Sequence, residues 1–203
     1  MIIIFDTETT GLPESRHNWE LDYDKFPHIC QIAWIICDDN GNILLKENHM
    51  IKPDGWKLPE QATAIHGITQ KQAMDEGERG PIVLMNFLRD ATLCEKIVGH
   101  NIYFDISMVK ANVLDMKSKK LYMGYGEKVW EEKLLKEEMC KTLDKDKRHD
   151  TMRMSAKYLG YGRYIKLIKA HEELFGENFD NAHDAMGDVM ATKKVYFELL
   201  NKI

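Results

Sequence analysis

The chain has 203 residues, 44% of them hydrophobic and 30% charged, a balance that predicts one globular domain over residues 1–203 with a sizeable core. A net charge of −5 excludes a protein that coats nucleic acid through a broad basic face, but not an enzyme that grips a few terminal nucleotides. The apolar start Met1–Phe5 lacks a basic flank and is too short for a signal-peptide core or a membrane span, so a cytoplasmic protein without membrane contact is expected.

In chain order, Ile2–Thr7 is a β-branched run without alternation and predicts a buried central strand that ends in an acidic cluster. Glu14–Pro27 follows, a polar connection with Trp19, Tyr23 and Phe26, longer than most and therefore a functional or mobile loop. Ile29–Cys37 and Asn42–Ile51 flank the turn Asp38-Asp39-Asn40-Gly41 and predict an antiparallel hairpin. Short helices are expected over Pro59–Met74, and a longer one after Pro81 with Leu84, Phe87, Leu88 and Ala91 on its inner face.

Lys96–His100 predicts a short strand that leads into a helix carrying Asp105. The sign-alternating stretch Glu127–Lys147 reads as a solvated helix running into a loop. Met152–Leu159 and Ile165–Phe175 predict helices around a Gly160-Tyr161-Gly162 turn, and Asp184–Asn201 a last helix with Val189, Thr192, Tyr196 and Leu199 on one face. Strands first, then a strand among helices, imply an α/β fold with a mixed central sheet and helices packed on it. Cys30, Cys37, Cys94 and Cys140 form no C-x-x-C pair and no zinc spacing, and read as reduced, buried thiols.

Three short segments carry chemistry. In Phe5-Asp6-Thr7-Glu8-Thr9-Thr10-Gly11-Leu12-Pro13, Asp6 and Glu8 are two apart on a strand and so face the same side, as metal ligands would. Taken alone, acids at a strand end are equally well a solvated edge. In Gly99-His100-Asn101-Ile102-Tyr103-Phe104-Asp105 the acid lies one turn into a helix, beyond the position that best complements the helix dipole. In Ala182-His183-Asp184-Ala185-Met186-Gly187-Asp188 the histidine precedes the last helix and Asp188 lies inside it, while Asp184 reads as a helix-start acid.

An acid pair on strand one, an acid on a mid-chain helix and H-x-A-x-x-D at the last helix together resemble the DnaQ-like (DEDDh) 3′→5′ exonuclease superfamily, which has an RNase H-like fold. His183, five before the last acid, matches the histidine branch; the tyrosine branch would place Tyr where Asp184 stands. Leu58–Thr69, ending His66-Gly67-Ile68-Thr69, and Asp150-Thr151-Met152 are similar to further family segments. The first of these and the strand-one motif look closest to proofreading and DNA-repair members such as the epsilon subunit of DNA polymerase III.

The resemblance implies two divalent ions, Mg²⁺ or Mn²⁺, held by the carboxylates of Asp6, Glu8, Asp105 and Asp188. All-oxygen ligands suit these ions, which relieve the repulsion between clustered acids. It also implies that Asp6 bridges both ions and Asp105 supports the second, that Glu8 and Asp188 complete the site of the attacking water, and that His183 is the general base, a role suited to a side chain that titrates near neutrality. Substrate contacts implied by relatives are Thr9 and Thr10 at the terminal 3′ hydroxyl, Leu12 as a wedge against the last bases, and His66, Asn101 and Phe104 near the strand. Tyr161 and Tyr164, beside Arg163 and Lys166, are candidates for a strand-binding groove. Single-stranded DNA is the expected partner.

Two rivals stand beside this reading. An RNA-trimming relative, oligoribonuclease-like or RNase T-like, shares the catalytic set and differs only in its use of the 2′ hydroxyl. A non-catalytic module that docks a DNA polymerase or replication partner would tolerate a lost acid or histidine, and here all five positions are intact. The chain stops at Ile203, right after the last helix, which favours a free-standing enzyme.

Overall fold

The computed structural model describes residues 1–14, 18–118 and 132–202. Ile2–Thr9 forms β1, Ile29–Cys37 β2 and Ile43–Met50 β3, followed by the helices α1 (Glu60–His66), α2 (Gln70–Glu76) and α3 (Gly80–Thr92). Lys96–Gly99 is β4 and Arg148–Asp150 is β5, with α4 (Ile102–Ser118) and α5 (Glu132–Thr142) between them. Three helices close the chain, α6 (Thr151–Tyr158), α7 (Leu167–Phe175) and α8 (Ala185–Leu200).

The five strands form one mixed sheet in the order β3-β2-β1-β4-β5. The β1–β2 and β2–β3 pairs are antiparallel, and β4 and β5 run parallel to β1. The hairpin is as expected. β1 continues two residues beyond the expected Thr7, because its pairing with β2 holds through Glu8 and shifts register before Thr9. The acidic pair therefore lies within the sheet.

β5 was not legible in the sequence: three residues of mixed charge carry no apolar period, and only pairing with β4 makes them a strand. Within the expected Glu127–Lys147 helix, residues 127–131 lie outside the described ones, and the regular helix ends at Thr142. Residues 15–17 of the long first connection also lie outside. Among the cysteines, Cys30, Cys37 and Cys94 are buried as expected, but Cys140 is exposed.

Alternation along β1 divides the core. Ile3 and Phe5 pack with Val83, Leu84 and Phe87 of α3 and Met108 and Val109 of α4. Ile2 and Ile4 pack with Val189 and Tyr196 of α8. On the first face the buried Trp34 indole donates to Asp90 of α3 at 3.1 Å, so its N–H is not stranded in the core. Helices thus cover both faces of the sheet, an RNase H-like α/β arrangement. No helix among the described residues is long and apolar enough to cross a membrane.

Candidate active site

The end of β1 is where the two helix layers meet. By the alternation that sends Ile2 and Ile4 toward α8, Asp6 and Glu8 face α8 as well, while Thr7 turns toward α4. α4 follows directly on β4, the parallel neighbour of β1, so its first turn lies at the same end of the sheet. Asp105 closes that first turn, which begins at Ile102. It is 3% exposed, and its Oδ1 accepts from the Thr7 hydroxyl at 2.7 Å and the Thr7 amide at 3.1 Å.

The turn into α4 is fixed from a third direction. Asn101 sits in the left-handed region with φ 66°, a conformation that asparagine tolerates, and its amide donates to Asp150 Oδ1 at 2.9 Å. The same oxygen accepts from Met152 N at 3.0 Å, which caps α6. His100 joins this anchor, with Nδ1 3.0 Å from the Thr151 hydroxyl and Nε2 2.8 Å from the Ile165 carbonyl.

α8 delivers the remaining groups. Asp184 is its N-cap and accepts from Gly187 N at 3.1 Å. His183, just before the cap, adopts φ 68°, which costs a non-glycine residue roughly 1 kcal/mol and is held by the cap and by the Asp184 N–H to Asn181 carbonyl bond at 3.1 Å. Gly187 is required for this path: a Cβ there would stand 2.3 Å from the Asn181 carbonyl oxygen. The sequence reading did not single out Gly187, and its place inside a helix start was the available signal.

Glu8, His183 and Asp188 each bring one ligand atom to within 4.8 Å of the others. Asp6 feels the charges of Asp105, Asp188, Glu8 and Asp184, and burial first and these neighbours second raise its carboxyl well above the ordinary value. Burial, with Asp188 and Asp105 adding to it, pushes Glu8 up to about 8. Burial also raises Asp105 to about 7, against the pull of the two Thr7 hydrogen bonds, and Asp188 to about 6, against the attraction of His183. So many acids this deeply buried favour protons or cations.

The candidate substrate residues divide. Leu12 is 82% exposed beside the site. Thr9 donates to the Gly11 carbonyl, and Thr10 is tied to His28 twice, its amide donating to the His28 carbonyl and its hydroxyl accepting from the His28 amide, both at 2.9 Å. The Thr10 amide is therefore already engaged. His66 accepts from Ile68 N at 3.0 Å, and its other ring nitrogen lies 3.6 Å from Cys30 Sγ on β2. Asn101 and Phe104 share the wall of a cavity of about 370 Å³ with Pro13, Trp19 and Phe26, so the long first connection forms a rim of this cavity. Tyr161 donates to Glu173, whereas Tyr164 is 73% exposed and lines a cavity of about 460 Å³ with Arg153, Gly162 and Arg163.

Comparison with known proteins finds the same fold elsewhere. The zinc-bound complex of E. coli exonuclease I with single-stranded DNA matches at TM-score 0.68 and 23% identity, over 99% of this chain and 40% of that one. Exonuclease I from Methylocaldum szegediense matches at TM-score 0.68 and 18% identity, over 99% and 40%. Exonuclease X in complex with 5′-overhanging duplex DNA matches at TM-score 0.59 and 20% identity, over 100% and 92%. The chain thus spans about two fifths of the exonuclease I chains, and identities this low carry the fold alone. No curated protein matches the chain. A family model described as exonuclease, of the RNase T type, matches residues 3–196; this stretch includes both chain ends that form the acidic cluster, and the chain belongs to that DnaQ-like exonuclease family.

Proposed function

We propose that this chain is a metal-dependent 3′→5′ exonuclease, a single domain over residues 1–203, which releases nucleoside 5′-monophosphates from the 3′ end of single-stranded DNA. The observation that carries the reading is the meeting of Glu8 with His183 and Asp188 within 4.8 Å, from opposite ends of the chain, with Asp6 and Asp105 beside them. Burial holds their carboxyls above the usual range, and repulsion among the acids adds to it for Asp6 and Glu8, a condition that a divalent cation relieves.

Asp6, Glu8, Asp105 and Asp188 would hold two Mg²⁺ or Mn²⁺ ions, which polarise the scissile phosphate and make water acidic at neutral pH. His183, exposed at the mouth of the site, takes the proton of the attacking water. Leu12 separates the last bases, and the cavity beside Asn101 and Phe104 receives a base against its aromatic walls. Stacking of this kind contributes about 1–3 kcal/mol per base and tolerates any sequence.

Local charge supports a strand as substrate despite the net charge of −5. Residues 151–170 contain Arg153, Lys157, Arg163, Lys166 and Lys169 and no acid, interleaved with Tyr158, Tyr161 and Tyr164, the pattern of a surface that tracks a phosphate backbone. Two of the structural relatives hold single-stranded DNA or duplex DNA with a 5′ overhang, and this favours DNA here as well.

A 5′-labelled oligonucleotide, as DNA and as RNA, incubated with Mg²⁺, Mn²⁺ or chelator tests the reading. A descending ladder on DNA that needs metal is expected. No shortening under any condition, or immediate loss of the labelled end, would overturn it.

A further inference from the structure

The catalytic cluster depends on how α8 sits on the sheet, and beside the apolar packing of Ala185 and Val189 one polar side chain of β2 ties down its first turn. Gln31 lies on β2 directly opposite Glu8 in the strand register, is 6% exposed and stands 153 residues from Asp184 in sequence. Its amide nitrogen donates to Asp184 Oδ1 at 2.9 Å and to Asn48 Oδ1 at 3.0 Å, and its carbonyl oxygen accepts from Ala185 N at 3.3 Å.

We propose that Gln31 is a positioning residue for the hydrolytic site: it clamps the first turn of α8 and thereby sets where His183 and Asp188 stand relative to Glu8. The proposal rests on the exonuclease reading above. Asp184 is the cap between the two functional residues, and it uses its two oxygens separately, Oδ2 for Gly187 N within the helix and Oδ1 for Gln31. Loss of the Gln31 donor leaves the cap intact as a helix cap but removes the polar tie that sets the height of the first turn over β2, while Ala185 and Val189 keep the helix on the sheet. His183 precedes that turn with a left-handed backbone, and its amide donates to the Asp188 carboxylate, so a shift of the helix start moves the two together relative to Glu8.

The donor matters for charge as well as for geometry. Asp184 adds to the repulsion on Asp6 and Glu8, and an amide N–H aimed at its carboxylate holds it in place without adding another ionisable group. A carboxylate at position 31 would instead face Asp184 Oδ1 with like charge. Outer partners of metal-holding side chains commonly change metal affinity or activity by 10–100-fold when removed.

The test uses Gln31→Met, Gln31→Glu, and Gln31→Glu combined with Asp184→Asn. In the double variant the asparagine still caps α8 and its NH₂ donates to the new carboxylate, which restores the bond in the opposite direction. Oligonucleotide kinetics give kcat and KM separately, and titration with Mn²⁺ without substrate gives an affinity independent of turnover. Both single variants are expected to lose about tenfold or more in kcat, with KM within about twofold, and to weaken Mn²⁺ binding by a similar factor. The double variant recovers most of both. Single variants with wild-type kcat and Mn²⁺ affinity would overturn the proposal. So would a double variant that melts like wild type without recovering either quantity, and this holds even where a single variant does not fold. If wild type binds Mn²⁺ but degrades no oligonucleotide, the exonuclease reading fails while the Mn²⁺ titrations still decide the clamp.

Discussion

Thr7 gives both of its hydrogen-bond donors to one oxygen of Asp105, the hydroxyl at 2.7 Å and the amide at 3.1 Å. The residue between the two acids of β1 thus fixes the acid of α4, so three of the four carboxylates are placed by one strand segment. Thr7→Val keeps the shape and removes one donor to a carboxylate held 3% exposed. We expect a stability loss of about 1.5–3 kcal/mol in urea melts and roughly tenfold weaker Mn²⁺ binding. Unchanged affinity would mean that Asp105 does not share the cation site.

Direct removal of the proposed chemistry grades by role. Asp6→Ala should reduce activity to background without unfolding the chain, since Asp6 lies among all the other acids. His183→Ala should lower kcat by about 10²–10⁴-fold and leave a measurable remainder. Equal, complete losses in both would assign His183 to metal binding, as its distance to Glu8 and Asp188 also permits.

Gly187→Ala sets two effects against each other. Helix propensity alone favours alanine by about 1 kcal/mol, but the added Cβ would stand 2.3 Å from the Asn181 carbonyl, and overpacking of that kind costs about 1–3 kcal/mol. The clash should win, with lower melting temperature and displaced His183 reducing kcat. A more stable variant would show that residue 181 does not pack against α8 in solution.

Stability of the cation-free protein should fall as pH rises. Glu8, Asp105 and Asp188 are raised to about 8, about 7 and about 6, above the values near 4 of unfolded carboxylates. The folded state thus binds these protons more tightly, and their stabilisation is complete below the unfolded values and lost as pH climbs through the folded ones. Burial lowers His66, His100 and His149, which has the opposite effect below about pH 6.5. It also raises the thiols of Cys30, Cys37 and Cys94, which adds to the fall only as unfolded thiols ionise at about pH 8.5. The interval from about pH 6.5 to 7.5 thus reports mainly the acids. In chelator the melting temperature should drop over that interval, less steeply in Glu8→Gln, and Mn²⁺ should restore it most at the alkaline end. A flat profile in chelator contradicts the crowding of charge described above.

Arg163→Ala and Arg153→Ala probe the cationic segment, whose side chains line one cavity with Tyr164. Each should raise KM for a long oligonucleotide and reduce the salt dependence of binding by about one counterion, while hydrolysis of a small phosphodiester stays near wild type. An equal loss on both substrates would place these residues at the reacting phosphate.

The parts of this site that sequence could convey were local. Strand alternation puts Asp6 and Glu8 on one side and a helix start sets the spacing of His183 and Asp188, but each pair alone reads as well as surface, and only their order along the chain marks a site. The faces of α3 and α8 follow from apolar periods that the core confirms in Phe87, Val189 and Tyr196. What stayed hidden is long-range or depends on backbone detail. The Thr7–Asp105 and Gln31–Asp184 bonds join residues 98 and 153 apart, and no local pattern encodes such partners. The left-handed Asn101, which sets where the helix of Asp105 begins, has no clear sequence mark. The bond that engages the Thr10 amide with the His28 carbonyl likewise has no local sequence mark.

Anomalous diffraction from crystals soaked in Mn²⁺ without nucleic acid tests the shared cation pocket most directly. A peak within coordination distance of both Glu8 and Asp188, with Asp6 beside it and lost in Asp6→Asn crystals, is the expected result. Manganese bound elsewhere, or none at this position at saturating concentration, would contradict it.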